Sequence, residues 1–206
     1  MSRRCSVNDK PTGRTPQFAL PSRLLHWAMA VMVIAQLFIG VTMVASLANY
    51  NLLLAIHRPL GITILIFVIV RIVNRLLHKP PPFLATMRPW ERRVATRSEQ
   101  LLYALLVVQP LAGWAMLSSA GVPIVLFGQL HLPPIAPHNT SLYPVLWYSH
   151  LTFAYLLFAT FTAHLCAILF HTLVIRDRIL DRMAIWPIRG AKPVAEPTDP
   201  PPVETN

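Results

Sequence analysis

Val145–Ile175 reads VLWYSHLTFAYLLFATFTAHLCAILFHTLVI, with three histidines and no Asp, Glu, Lys or Arg. As a helix of about 30 residues it rises roughly 45 Å, more than the ~30 Å hydrocarbon core of a bilayer. It is long enough to cross a membrane and project beyond it. Strands are set aside as spanning elements, because nothing in the chain alternates with period two over several segments.

Three more runs of this kind lie upstream. Leu24–Leu47 carries no charge, Leu52–Leu77 holds His57, Arg58, Arg71 and Arg75 near its two ends, and Leu101–Ser119 is the third. The four runs predict an all-α integral membrane protein, a four-transmembrane-helix bundle with spans at about 24–47, 52–77, 101–119 and 145–175. Pro80, Pro81 and Pro82 end the second helix, since proline lacks the backbone donor and disfavours helical geometry in the residue before it. The connection 120–144 contains Pro123, Pro133, Pro134 and Pro137 and is expected to form a lid over the bundle. The folded unit is 21–180. The polar segment 1–20 and the segment 187–206, with six prolines, read as disordered tails. The first run is longer than a typical signal-peptide core, carries a histidine and lacks a clear small-residue cleavage site, so it is expected to stay in the mature protein.

Composition agrees. The 206 residues are 54% hydrophobic and 13% charged, with 18 Lys+Arg against 8 Asp+Glu and a net charge of +10. A soluble domain carries about a quarter charged residues. The basic balance is not a nucleic-acid footprint, which needs the charge on one soluble face. Here it lies in blocks: Arg3, Arg4, Lys10, Arg14 and Arg23; then Lys79, Arg88, Arg92, Arg93 and Arg97; then Arg176, Arg178, Arg182, Arg189 and Lys192. The connections 48–51 and 120–144 contain no Lys or Arg. By the positive-inside rule both termini and the middle loop are cytoplasmic, and the blocks can also attract anionic lipid headgroups. Cys5 and Cys166 are too few for a disulfide framework or a thiolate metal site, and Cys166 reads as a small core residue.

Ionisable groups inside spans are costly and mark function by default. His26 lies just inside the first span at its cytoplasmic end, and His57 just inside the second at the opposite end. His150 and His164 are fourteen residues apart on the fourth, which returns to within about 40° of the same face after a rise of ~21 Å. Antiparallel packing then pairs His57 with His150 at the outer level and His26 with His164 at the inner level. Two such pairs can hold two stacked b-type haems by axial imidazole ligation. Gly40, fourteen residues after His26, shares its face at the outer level, and Gly61 stands one turn after His57. Both are places where a flat macrocycle edge can pack. Arg71, fourteen residues after His57, lies at the inner level, where it can meet a haem propionate.

Plainer readings stand beside these. A single intramembrane histidine can simply hydrogen-bond a neighbouring helix, the glycines can be packing sites, and Arg71 and Arg75 interfacial anchors. His171 shares the face of His164 and is a rival ligand. His78, His131 and His138 fall in loops. A zinc or di-metal site is disfavoured, because it needs three or four converging ligands, usually with carboxylates, and Glu99 stands alone. No nucleotide or nicotinamide motif is present.

These residues carry a resemblance. Arg23-Leu-Leu-His-Trp27, His57-Arg-Pro-Leu-Gly61 leading to Arg71, Leu102-Tyr103 leading to Pro110-Leu-Ala-Gly-Trp114, and Trp147-Tyr-Ser-His150 with His164 and His171 occur in that order. The set resembles the bacterial di-haem cytochrome b-561 family, whose members include superoxide:ubiquinone oxidoreductase, over about residues 20–180. The resemblance implies haem ligation at His26, His57, His150 and His164, favouring His164 over His171. It also implies electron exchange with the ubiquinone pool in the bacterial inner membrane and, in some members, superoxide oxidation at the outer face. Members often have a histidine where this chain has Glu99. Arg58, at the outer end of the second span, can steer an anionic donor. A haem-bearing anchor relaying electrons from a partner dehydrogenase or hydrogenase is the first alternative, and a small transporter the second. The partners expected are membrane lipid, quinone and, in the anchor reading, a redox protein, with no nucleic acid.

Overall fold

A computed structural model describes residues 17–186 except 85, 86 and 127. Most of the segment 1–20 and all of 187–206, both expected to be tails, lie outside the described residues. Four long helices, α1 (Leu20–Ala45), α2 (Tyr50–Leu77), α3 (Pro89–Ser119) and α4 (Leu142–Phe170), run along the chain. Each is long and apolar enough to cross a membrane. Their lateral faces are apolar and exposed, as at Phe38, Val44, Ile66, Tyr155 and Leu173, which is what a lipid solvent requires.

The chain goes up and down, so one end of the bundle carries the described ends of the chain and the α2–α3 connection. The other carries the α3–α4 connection; these are called the termini end and the hairpin end below. α1 packs along α2, α2 against α3, and α3 against α4. No comparable backbone seam joins α4 to α1 or α2 among the described residues. At mid-bundle Met29, Leu65 and Val68 are buried, with Met32, Phe67, Tyr103 and Leu106 packed around them.

Two features differ from expectation. α3 begins at Pro89 rather than near 101, so the charged stretch through Arg97 is helix and not loop. The start is well made: Pro89 sits in the first turn, and the Glu91 carboxylate accepts from the Arg88 backbone N–H at 2.7 Å, which satisfies an otherwise orphan donor. The second is strand. The 120–144 connection contains an antiparallel pair, β1 (Ile124–Leu126) and β2 (Leu130–Leu132), with Ile124 opposite Leu132 and Leu126 opposite Leu130. Ile124 and Leu126 point inward and are buried with Ile62 of α2, so the connection covers the hairpin end. Trp114 donates to the Pro133 carbonyl at 3.0 Å, Ile135 N–H to Ser118 Oγ at 3.1 Å, and Asn139 N–H to the Ser119 carbonyl at 3.0 Å. The Asn139 side chain then accepts from the backbone of Ser141 and Leu142, at 2.9 and 3.1 Å, and launches α4.

The termini end is closed by chain that lies past the apolar run. After Phe170 the helix widens into a π turn, His171–Ile175, and reverses at Arg176, whose φ of 56° is left-handed. A 3-10 turn, Leu180–Met183, follows. The resulting strap lies against the start of α1. Trp27 donates to the Met183 carbonyl at 2.8 Å, Arg23 to the Ala184 carbonyl at 2.6 Å, and Phe18 N–H to the Arg182 carbonyl at 3.1 Å. Arg182 is itself buried and donates to the carbonyls of Pro81 and Pro82, at 2.8 Å each. Burial, then the charge of Arg75, lower its pKa from the ordinary guanidinium value.

Candidate functional site

The hairpin-end pair comes together. The rings of His57 on α2 and His150 on α4 lie 6.3 Å apart, centroid to centroid, at 80°, across the side of the bundle where α4 has no backbone seam with α2. His150 Nδ1 is 3.0 Å from the Gln109 carbonyl on α3. A carbonyl can only accept, so Nδ1 carries the proton and Nε2 keeps its lone pair. That bond fixes both tautomer and ring direction for a metal ligand. Gln109 adds its side-chain amide, with Nε2 at 3.3 Å from His150 Nε2.

Gly113, one turn further along α3, explains how the ring fits. A Cβ there would lie 2.9 Å from His150 Cε1 and 3.1 Å from Nδ1, closer than side chains tolerate. Gln109 and Gly113 seat the His150 ring, and the sequence reading did not single them out. Gly113 stood inside a quoted motif, but only the azimuth of α3 against α4 shows what it accommodates.

Gly40 lies beside His57, with its Cβ position 4.0 Å from the His57 ring, an ordinary contact distance. Gly61 faces α1, where the Gln36 amide would be 3.3 Å from an added Cβ. Gln36 uses that notch to donate to the His57 carbonyl at 3.1 Å. His57 is thus held from α1 through its backbone, while its Nδ1 is buried with no hydrogen-bond partner.

At the termini end His26 and His164 are close enough to act on each other electrostatically, and Arg71 acts on both. Arg71 is fixed by a 2.9 Å bond from Nε to the Tyr103 hydroxyl and a 3.2 Å bond to the Ser22 carbonyl. His171 is engaged elsewhere: its Nδ1 meets the Asp177 carboxylate at 2.7 Å. His171 therefore has a local acidic partner, while His164 is the fourth-helix histidine that acts electrostatically on His26. Glu99 pairs with Arg75 at 3.0 Å.

The donor sets suit a haem. Each level offers two imidazoles, no group of three or more His, Cys, Asp or Glu able to hold a metal ion appears among the described residues, and the hairpin-end pair includes a buried imidazole nitrogen without a partner. A pair of imidazoles on facing helices would hold the iron of a b-type haem, which would supply one-electron redox chemistry there.

Comparison with known proteins agrees. The sequence model of the prokaryotic cytochrome b561 family matches residues 17–185. This chain belongs to that family. It is a membrane haem protein, of the b type, in a bacterial membrane. The cytochrome is 26% identical over 125 residues to cytochrome b561 homolog 2 of Escherichia coli K12, a match covering 59% of the chain and 66% of that relative. It is 29% identical over 160 residues to a probable superoxide oxidase, CybB, of Yersinia pestis, covering 77% of the chain and 90% of the relative. With cytochrome b561 homolog 1 of Escherichia coli K12 it shares 23% over 176 residues, 81% and 96% of the two chains.

Proposed function

We propose that this cytochrome carries electrons between the two faces of the inner membrane through two b haems, one held by His57 and His150 and the other by His26 and His164, with the quinone pool as acceptor. The observation that carries the reading is the pair His57–His150 at 6.3 Å; His26 and His164 are the histidines assigned to the second level of α4. The arginine blocks on one side of the spans support a cytoplasmic termini end and an outward hairpin end. The relative named as a probable superoxide oxidase supports superoxide as the electron donor there.

A haem held by these histidines would supply single-electron transfer. The protein's own residues do the rest. The Gln109 carbonyl and the Gly113 notch orient His150, and Gln36 anchors the backbone of His57. Arg58, whose buried Nε has no partner, adds positive potential for an anionic donor.

The test is a reduced-minus-oxidised spectrum of the purified protein with haem counted per polypeptide. Two low-spin b haems per chain are expected; none, after expression with ample haem, overturns the reading. Replacing His57 or His150 by Ala should remove one and the same haem, and replacing His26 or His164 the other. Loss with His171→Ala but not His164→Ala would overturn the termini-end pairing.

A further inference from the structure

The 31 residues of α3 rise about 46 Å. That length matches the ~40–45 Å of a bilayer with its headgroup layers, not the ~30 Å of hydrocarbon alone. One face of the helix stays uncovered over most of it. Trp90, Val94, Leu101, Val108 and Leu111 are exposed, and exposed Arg97 and Ala104 fill the intervals. The positions recur every three or four residues and so form one stripe along the helix. From Leu101 to Leu111 the stripe is apolar, as a lipid-facing surface must be. The first three turns continue the same surface toward the termini end.

The arginines of those turns are of two kinds. Arg92 is turned inward, and donates to the Met87 carbonyl at 3.0 Å and the Leu84 carbonyl at 3.3 Å. Arg93 and Arg97 stand one turn apart on the exposed side. Arg97 meets the Gln100 side chain at 3.2 Å, and no ion pair holds either arginine among the described residues. The acids nearest in sequence are taken, Glu91 by the Arg88 backbone and Glu99 by Arg75. Like charges four residues apart destabilise a helix that has no counter-ion. Two guanidinium forks side by side match the oxygens of one phosphate. Trp90, one turn nearer the helix start, is of the residue type that settles among headgroups.

We infer that this face of α3 seats one anionic phospholipid at the termini end, its phosphodiester shared by Arg93 and Arg97 and its chains laid along Leu101, Ala104 and Val108. The order of chemistry down the stripe is that of the lipid itself, cations first and hydrocarbon after. Charge sets the class of lipid. The stripe offers two cations and no carboxylate, so a headgroup with its own ammonium meets repulsion, and a net-negative headgroup of the phosphatidylglycerol kind does not. Free phosphate would use the arginines and leave the apolar half of the stripe unused. A second copy of the chain, packed in parallel on the same stripe, would set these arginines against their counterparts.

The experiment titrates purified holoprotein in detergent with phosphatidylglycerol or with phosphatidylcholine of the same chains. Native mass spectrometry reads the adducts, and thermal unfolding is followed alongside. The wild type is expected to keep one phosphatidylglycerol per chain at concentrations where phosphatidylcholine leaves none, and to melt higher with it. The double variant Arg93→Gln/Arg97→Gln should bind it about thirty-fold more weakly, at about five-fold per surface arginine, with haem content unchanged. Lys79→Gln/Arg176→Gln removes the same charge elsewhere at the termini end and should bind as the wild type does. Equal losses in the two double variants would overturn the inference, as the mark of diffuse attraction. Equal retention of the two lipids by the wild type would overturn it without recourse to any variant. Inorganic phosphate that raises the melting temperature as much as the lipid would make this a free-anion site, and dimers that form at the expense of the lipid adduct would make it a subunit interface; either result overturns the lipid assignment.

Discussion

A methyl group at position 113 would meet the His150 ring at 2.9 Å, and the contact is to the ring itself, which the Gln109 carbonyl holds. Gly113→Ala should therefore push His150 off its carbonyl and cost the protein one haem, halving the haem per chain and removing one component from a redox titration. Gly61→Ala is the control. There the added carbon meets only the end of the Gln36 side chain at 3.3 Å, so both haems should remain. The pairing of His57 with His150 was legible in the sequence because depth and azimuth follow from residue count along a regular helix. The Gln109–Gly113 seat was not, since it depends on how α3 is rotated against α4, and no count along one helix contains that angle. His171 is the complementary case. Its face could be counted, but its Asp177 partner depends on a left-handed Arg176 that no apolar pattern signals.

At the scale of elements, spans were read from apolar runs, and their limits differ wherever charge and helix coincide. α3 gains three turns ahead of its apolar part because Pro89 and Glu91 make a sound start, a polar signal that hydropathy does not see. The strap 177–186 lies past the last run and pairs with residues about 160 positions earlier, beyond the reach of any local rule. Arg182 is its anchor. Truncation to alanine leaves the Pro81 and Pro82 carbonyls without their donor, at a cost of ~2–3 kcal/mol for bonds to a charged group. Arg182→Ala should lower the unfolding temperature of the detergent-purified protein and speed proteolysis near residue 180, with the haem spectrum at the hairpin end unchanged.

For the whole molecule, the seams run α1–α2, α2–α3 and α3–α4, and the fourth side is left to facing histidines. If cofactors bridge that side, ligand binding to the folded state alone must stabilise it. Protein produced without haem should then unfold at a lower temperature than the loaded form, and adding haem should restore the difference; identical melting curves would contradict the bridging. Orientation is the other whole-molecule property. Reporter enzymes fused after Asn206 and within the 120–144 connection should report opposite sides of the membrane, the first cytoplasmic. That expectation of sidedness comes from the arginine blocks alone, while the open fourth side was visible only once helices were placed.

The strap also orders events in time. Gln17, Arg23 and Trp27 are among the first described residues to leave the ribosome, yet their carbonyl partners at 181–184 are among the last. Through the whole of synthesis and insertion the termini end therefore has no clasp. It can latch only after α4 has entered the bilayer and placed His150 and His164, so the cytochrome's final closure is a step that follows translation of its complete set of histidines.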